Sequence, residues 1–294
     1  MSYSLTMGIT SQYIDSDHKR FPDRLRNPNI KPPIKGLWYR GDIQSMELGK
    51  TVAIVGSRKM SRYGLQVLCE IVPRFVSAGY TTISGFMYGI DTEVHRLTLS
   101  SGGSTVAVLG YGIDRDDIEM NSKMVLLSEY PGDTKGQLWT FPQRNRIVVG
   151  LSDIIIVVEA GVKSGSLNSA NWAIKQGKPV FAVPGSIFST TSEGSNILIS
   201  EGKAISLTLE SLYQVLGNNE QTLYSEKVRI HRQKPKLNNV ESTLVALLKL
   251  SGPQSMNELA RGMGKTVGEV SALLMTLLLR SVVQEERGVW SVIA

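Results

Sequence analysis

The stretch TVAIVGSRKMSRYG, residues 51–64, decides the reading of the fold. Val52, Ala53, Ile54 and Val55 form an unbroken run of apolar, largely β-branched residues that stops at Gly56. A strand that is apolar on consecutive residues is covered on both faces, as in a parallel sheet between helices. After the glycine come Ser57, Arg58, Lys59 and Ser61, and then a helical pattern. A strand, a glycine turn and a helix start, with hydroxyls and cations in the turn, is the local plan of a phosphate site. The residues match neither GxGxxG nor GxxxxGK[ST], so the stretch carries neither a dinucleotide fingerprint nor a P-loop.

The same alternation continues outward from this stretch. Further strand candidates are YTTIS (80–84), STVAVLG (104–110), KMVLLSE (123–129), DIIIVVEA (153–160) and KPVFAVPG (178–185). Helix candidates lie between them at Ser61–Ala78, Ile90–Ser100, Gln143–Leu151, Ser166–Gln176 and Glu193–Ser200, with Gly79, Gly102 and Gly177 where helices end. Alternating strands and helices predict an α/β fold with an extended, Rossmann-like, doubly wound and mainly parallel sheet. Ligands of such sheets bind at the carboxyl ends of the strands, where most of the unusual residues of this chain fall.

The flanking segments differ in character. Residues 1–49, with NPNIKPPIKG (27–36), cannot form a continuous helix and are expected to be an extended arm packing on the core, residues 50–216. Residues 217–237 are polar, with five cations against two acids, and read as a linker. From residue 238 to the end, three amphipathic helices and a two-strand hairpin follow one another, the plan of a small C-terminal winged-helix domain. Its third helix would be the DNA-reading element in such a domain. Here five cations are offset by five acids, and that helix has few donors for base edges or phosphates, so a protein contact is the favoured role.

The whole chain of 294 residues carries a net charge of +6, which suits an anionic partner. The one cysteine, Cys69, rules out an internal disulfide framework and is expected to be buried. His18, His95 and His231 are far apart in sequence, and no metal site or cofactor is implied. No signal-peptide pattern and no apolar run of membrane-spanning length is visible, which reads as a cytoplasmic protein without membrane contact.

Five stretches carry candidate chemistry. In the opening stretch, Gly56 permits the sharp turn, Ser57 and the following amides can donate to an anion, Arg58 can grip phosphate bidentately, and Lys59 stands beside it. In SGFMYGID (84–91), Gly85 and Gly89 let a ligand come close, while Asp91 reads as a helix cap. In FPQRNRIVVGLSD (141–153), Arg144 and Arg146 flank Asn145, and at about 100° per residue the two arginines point roughly 200° apart. They are equal candidates, one for a ligand and the other for a carboxylate inside the fold. In EAGVKSGSLNSANWA (159–173), Lys163, Ser164, Gly165 and Ser166 form a second strand–loop–helix anion site. There Glu159 is open to a general-base role, but more naturally pairs with Arg144 or Arg146. In the last stretch (181–202), Gly194 and Asn196 are expected to line the same cleft. No nucleophile, histidine and acid cluster in one neighbourhood, so binding rather than bond-breaking is indicated.

Taken together, these residues resemble the DNA processing protein A family. The family's IVGSR…S.YG appears at Ile54–Arg58 with Ser61, Tyr63 and Gly64, and SG.A.GID…H at Ser84–Asp91 with His95. AVLG.G.D lies at Ala107–Asp114, FP.RNRI..GLS at Phe141–Ser152, and EA..KSGSL..A..A...G..VFAVPG at Glu159–Gly185. The resemblance spans about residues 20–216. It implies a dimeric, non-enzymatic binder of single-stranded DNA that loads the RecA recombinase during DNA processing or natural transformation. It also implies that Arg58 and Lys163 contact DNA phosphates, with Arg144 and Arg146 in the same basic pocket. This chain has SGFMYGID where the family has SGLARGID, so Tyr88 replaces a basic residue, and Tyr88 or Phe86 is placed to stack on a base. Two other roles remain open: a phage-defence or DNA-damage sensor, and a nucleotide-cleaving protein like the related phosphoribohydrolases. Those enzymes carry PGGxGTxxE, and GVKSGSLNSA here lacks its glutamate, which argues against hydrolysis.

Overall fold

The computed structural model describes residues 11–42, 49–114, 118–217, 237–279, 282–286 and 288–292. The chain divides into two compact units, Met1–Gln221 and Thr222–Ala294. Apart from Gly217 and Leu237, the expected linker lies outside the described residues.

The first unit is built on a nine-stranded sheet. In chain order its elements are β1 (Gln12–Asp15), β2 (Gly36–Arg40), β3 (Lys50–Val55), α1 (Arg62–Ser77), β4 (Tyr80–Ser84), α2 (Ile90–Ser100), β5 (Thr105–Val108) and β6 (Met124–Ser128). There follow α3 (Thr140–Leu151), β7 (Ile154–Val157), α4 (Gly165–Lys175), β8 (Val180–Ala182), α5 (Glu193–Ser200), β9 (Ile205–Ser206) and α6 (Leu209–Leu216). The strand order is β1-β2-β6-β5-β4-β3-β7-β8-β9. From β6 to β9 every pairing is parallel, while β2 and β1 add an antiparallel edge.

The apolar runs follow from this burial. Ala53 and Val55 of β3 face a core shared with α3, α4 and α5, through Ile147, Leu151, Ala170 and Leu198. Val52 and Ile54 face the opposite core, with Leu68, Phe75, Val94 and Leu212 of α1, α2 and α6. Residues alternate faces along a strand, so a strand covered on both sides is apolar throughout. In α1, Leu68, Ile71, Val72 and Phe75 follow the helical period inward. Cys69 falls on the other face and is exposed, contrary to the expectation of a buried thiol.

The segment before β3 is more than an extended arm. It pairs β1 with β2, joins the sheet through β6, and buries Phe21, Leu25, Ile30 and Ile34 against the core that holds α3. β1, β2 and β9 had no counterpart among the strand candidates, and α3 begins at Thr140, three residues earlier than expected.

The second unit contains α7 (Asn239–Ser251), β10 (Gln254–Ser255), α8 (Met256–Met263), α9 (Val267–Leu279), β11 (Val283–Glu286) and β12 (Val289–Val292). The hairpin gains a third strand, giving the antiparallel order β10-β12-β11. Asn238 with Glu241 and Ser255 with Glu258 form capping boxes at α7 and α8. Thr266 caps α9, its Oγ1 accepting from the Glu269 amide. Leu244, Leu259, Val270, Leu274 and Trp290 form this unit's own core.

Candidate functional site

Between β3 and β7 the connections diverge: α1 returns on one face of the sheet and α4 on the other. Such a switch point opens a crevice at the carboxyl ends of the strands. A cleft of about 800 Å³ lies there, and Arg58, Lys59, Arg144 and Lys163 line it with one carboxylate, Asp91.

The β3–α1 loop is shaped by tight contacts with the start of α2. A Cβ on Gly56 would stand 2.5 Å from the Ile90 side chain. Gly89, at φ +84°, lies against the backbone of Ser57 and Arg58, and the Ile90 amide donates to the Ser57 carbonyl at 3.2 Å. The Ser57 hydroxyl accepts from the Lys59 amide at 3.0 Å, so it braces the turn. That arrangement leaves Arg58 and Lys59 exposed to the cleft. The Arg58 guanidinium stands 5.5 Å from the centre of the Phe141 ring, which orients it without neutralising it.

Deeper in the cleft, Gly85 is the contact point of two charges. A Cβ there would lie 2.2 Å from the Asp91 carboxylate and 2.5 Å from both terminal nitrogens of Arg144. Arg144 is 3% exposed and donates to the Val108 carbonyl, while its Nε has no hydrogen-bond partner. Burial pushes Asp91 up from its ordinary value, and the positive charge of Arg144 opposes the shift. Burial pulls Arg144 down, and Asp91 opposes that in turn. The Gly85 carbonyl is fixed from below by His95, whose Nε2 donates to it at 2.6 Å while Nδ1 meets the Thr105 hydroxyl at 2.7 Å. A carbonyl only accepts, so the proton sits on Nε2. Desolvation lowers His95 to about 4, which keeps the ring neutral.

The second loop comes from β7. Ser164 caps α4, its Oγ accepting from the Ser166 amide at 3.2 Å. Gly165 is exposed, with open space over its α-carbon, and Asn145 donates to its carbonyl at 3.2 Å. Lys163 is exposed and, among the described residues, makes no ion pair. The N-terminus of α4 opens into the crevice at Ser164, Gly165 and Ser166 and adds to its attraction for anions, whereas the start of α1 is taken up by the Glu159 carboxylate.

The structure therefore brings together Gly56, Ser57, Arg58, Lys59, Gly85, Arg144, Asn145, Lys163, Ser164, Gly165 and Ser166. It does not bring in Arg146. That side chain is 1% exposed, forms a two-pronged pair with Glu129 at 2.6 Å on each arm, and donates to the Pro32 and Gln143 carbonyls. The two arginines do diverge as the helix period requires, and Arg146 is the one turned into the fold.

Other expectations change as well. Glu159 pairs with neither arginine; it accepts from the Ser61 amide (3.0 Å), the Ser61 hydroxyl (2.5 Å) and Thr191 (3.3 Å), tying β7 to the start of α1. Asp91 is not the cap of α2, a position held by Gly89. Asn196 bonds both backbone groups of Gly185, and Gly194 is pressed on the Ala160 and Gly161 carbonyls, so neither lines the cleft. Phe141, Thr190 and Thr191 do line it and were missed. The FP of the opening of α3 signalled Phe141, whereas nothing local distinguished the two threonines.

Comparison with known proteins gives the family and the fold. The family model described as DNA recombination-mediator protein A matches residues 12–217. The chain belongs to that family. DNA processing protein DprA of Bacillus subtilis is 36% identical over 217 residues, which covers 71% of this chain and 72% of that one. The X-ray structure of DprA from Streptococcus pneumoniae superposes with a TM-score of 0.61 at 34% identity, covering 67% of this chain and 71% of that chain. Helicobacter pylori DNA processing protein A, described for its single-stranded DNA binding mode, gives a TM-score of 0.61 at 26% identity, covering 74% and 98%. Members of this family are recombination mediators, and the extended Rossmann-like sheet is theirs. No described helix is long and apolar enough to cross a membrane.

Proposed function

We propose that this protein binds single-stranded DNA through the cleft between β3 and β7, with Arg58, Lys59 and Lys163 as the principal phosphate contacts. The observation that carries the reading is that these cations are exposed on two separate loops, β3–α1 and β7–α4, facing one open crevice. A polymer of phosphates engages two such grips at once, whereas a small anion needs one. Backbone contacts of this kind hold a strand with little regard to sequence. Asp91 tempers Arg144, so that arginine shapes the floor of the cleft.

The protein acts by holding DNA and passing it on, not by bond-breaking, with RecA as the recipient in DNA processing or natural transformation. A homodimer through the first unit is supported by Ile174, Ile197 and Ile205, exposed on α4, α5 and the edge strand β9. The second unit serves as a winged-helix protein contact. Val267 and Met275 of α9 are exposed apolar residues, in keeping with a helix that does not read DNA. Fluorescence anisotropy with labelled single- and double-stranded oligonucleotides tests the central reading. Single strands should bind more tightly, and Arg58→Ala with Lys163→Ala should weaken binding by more than tenfold. Unchanged affinity in a folded double variant would rule out the cleft as the site.

A further inference from the structure

Large apolar side chains stand exposed on three loops at the carboxyl end of the sheet. Tyr88 is 80% exposed, Trp139 58%, and Phe188 91%. Folding does not account for them, since each is open to water and belongs to none of the hydrophobic cores. Each is one or two residues from a residue that lines the cleft: Tyr88 follows Met87, Trp139 precedes Phe141, and Phe188 precedes Thr190. The loops themselves are braced. Gly89 locks the Tyr88 loop on the backbone of Ser57 and Arg58. Tyr130 meets Trp139 edge-on with ring centres 6.3 Å apart. The Ser186 hydroxyl accepts from the Phe188 amide at 3.2 Å. Phe86, by contrast, turns inward onto His95, with ring centres 5.7 Å apart, which leaves Tyr88 as the outward-facing ring of that loop.

We propose that Tyr88, Trp139 and Phe188 form an aromatic rim on which unpaired bases stack while the cleft holds the phosphates. The proposal rests on the phosphate-cleft reading and extends the site from backbone to bases. The occupant follows from charge and continuity. A strand whose phosphates are held by Arg58 and Lys163 passes the loops that border the cleft, and the water-exposed rings those loops carry within two residues of the lining are these three. Every base has a π-face, so stacking adds affinity without sequence preference, whereas a paired duplex hides those faces. The rim would therefore supply the discrimination between single and double strands that cations alone do not.

The test compares an oligothymidylate with an abasic oligonucleotide of equal length, using the full chain. The wild-type protein should bind the oligothymidylate at least about tenfold more tightly, from a stacking contribution of ~1–3 kcal/mol per base. Its tryptophan fluorescence should be quenched by the oligothymidylate alone. Phe188→Ser and Trp139→Leu should each narrow that difference while leaving abasic binding unchanged, and Trp139→Leu should lose the quench. Phe188 is so exposed that its replacement does not burden folding. Equal binding of the two oligonucleotides overturns the rim and leaves the cleft standing, and no binding of either overturns both. Variants that weaken both ligands alike, or that instead change the oligomeric state, also overturn it.

Discussion

Arg146→Ala separates the two arginines that the sequence leaves equal. Arg146 makes four hydrogen bonds in a site where it is 1% exposed: two to Glu129, one to the Pro32 carbonyl and one to the Gln143 carbonyl. Truncation leaves the Glu129 carboxylate without its partner and two carbonyls without a donor. Removing one partner of a buried pair costs about 3–5 kcal/mol. For a unit of this size each kcal/mol shifts the melting temperature by roughly 2–4 °C, so the variant should melt about 6–20 °C lower. The Pro32 bond also ties the N-terminal segment to α3, so proteolysis between β1 and β3 should speed up. Single-stranded DNA affinity, measured well below the melting temperature, should change little. Thermal unfolding followed by circular dichroism, paired with anisotropy, reads both quantities. A variant with wild-type stability that loses DNA affinity would mean that Arg146 faces the ligand and not the fold.

Three further outcomes follow from the site. His95 is lowered to about 4 by burial, below its unfolded value, so the unfolded chain binds the extra proton between pH 4 and 6.5. Stability from this group is complete above about pH 6.5 and falls by about 3 kcal/mol towards pH 4, a slope that His95→Gln should remove in urea titrations across that range. Gly89→Ala places a Cβ 2.5 Å from the Ser57 carbonyl oxygen at a backbone conformation that favours glycine, so it should cost at least roughly 2 kcal/mol and weaken DNA binding with it. Lys178 donates to the Val149, Gly150 and Ser152 carbonyls at the end of α3, and Lys178→Met should lower the unfolding free energy by roughly 1–3 kcal/mol without touching affinity.

What the sequence reveals depends on how local the cause is. The strands β3 to β8 were legible because two-sided burial makes most of them continuous apolar runs, and β4 (YTTIS) carries β-branched residues ending at a glycine. The two loops were legible because a glycine at a strand end, followed by a hydroxyl and a cation, is a local arrangement. β1 and β2 were not, since their residues become strands only by pairing with each other and with β6, and the prolines between them suggest disorder of direction. β9 is two residues long and pairs only with β8. The divergence of Arg144 and Arg146 could be worked out from the helix period, but not which of them faces the cleft. That choice is made by Glu129, 17 residues away in sequence, and by Pro32, 114 residues away. Glu159 likewise finds its partner in Ser61, 98 residues away, in place of either arginine.

The salt dependence of single-stranded DNA binding tests the central claim most directly. Each phosphate neutralised steepens the plot of log affinity against log salt by about 0.7 for single strands. Three exposed cations in the cleft predict a wild-type slope near roughly −2, and removing Arg58 and Lys163 together should make it shallower by about 1.4. A double variant that keeps the wild-type slope and affinity would contradict the account, because the phosphates would then lie elsewhere on the protein.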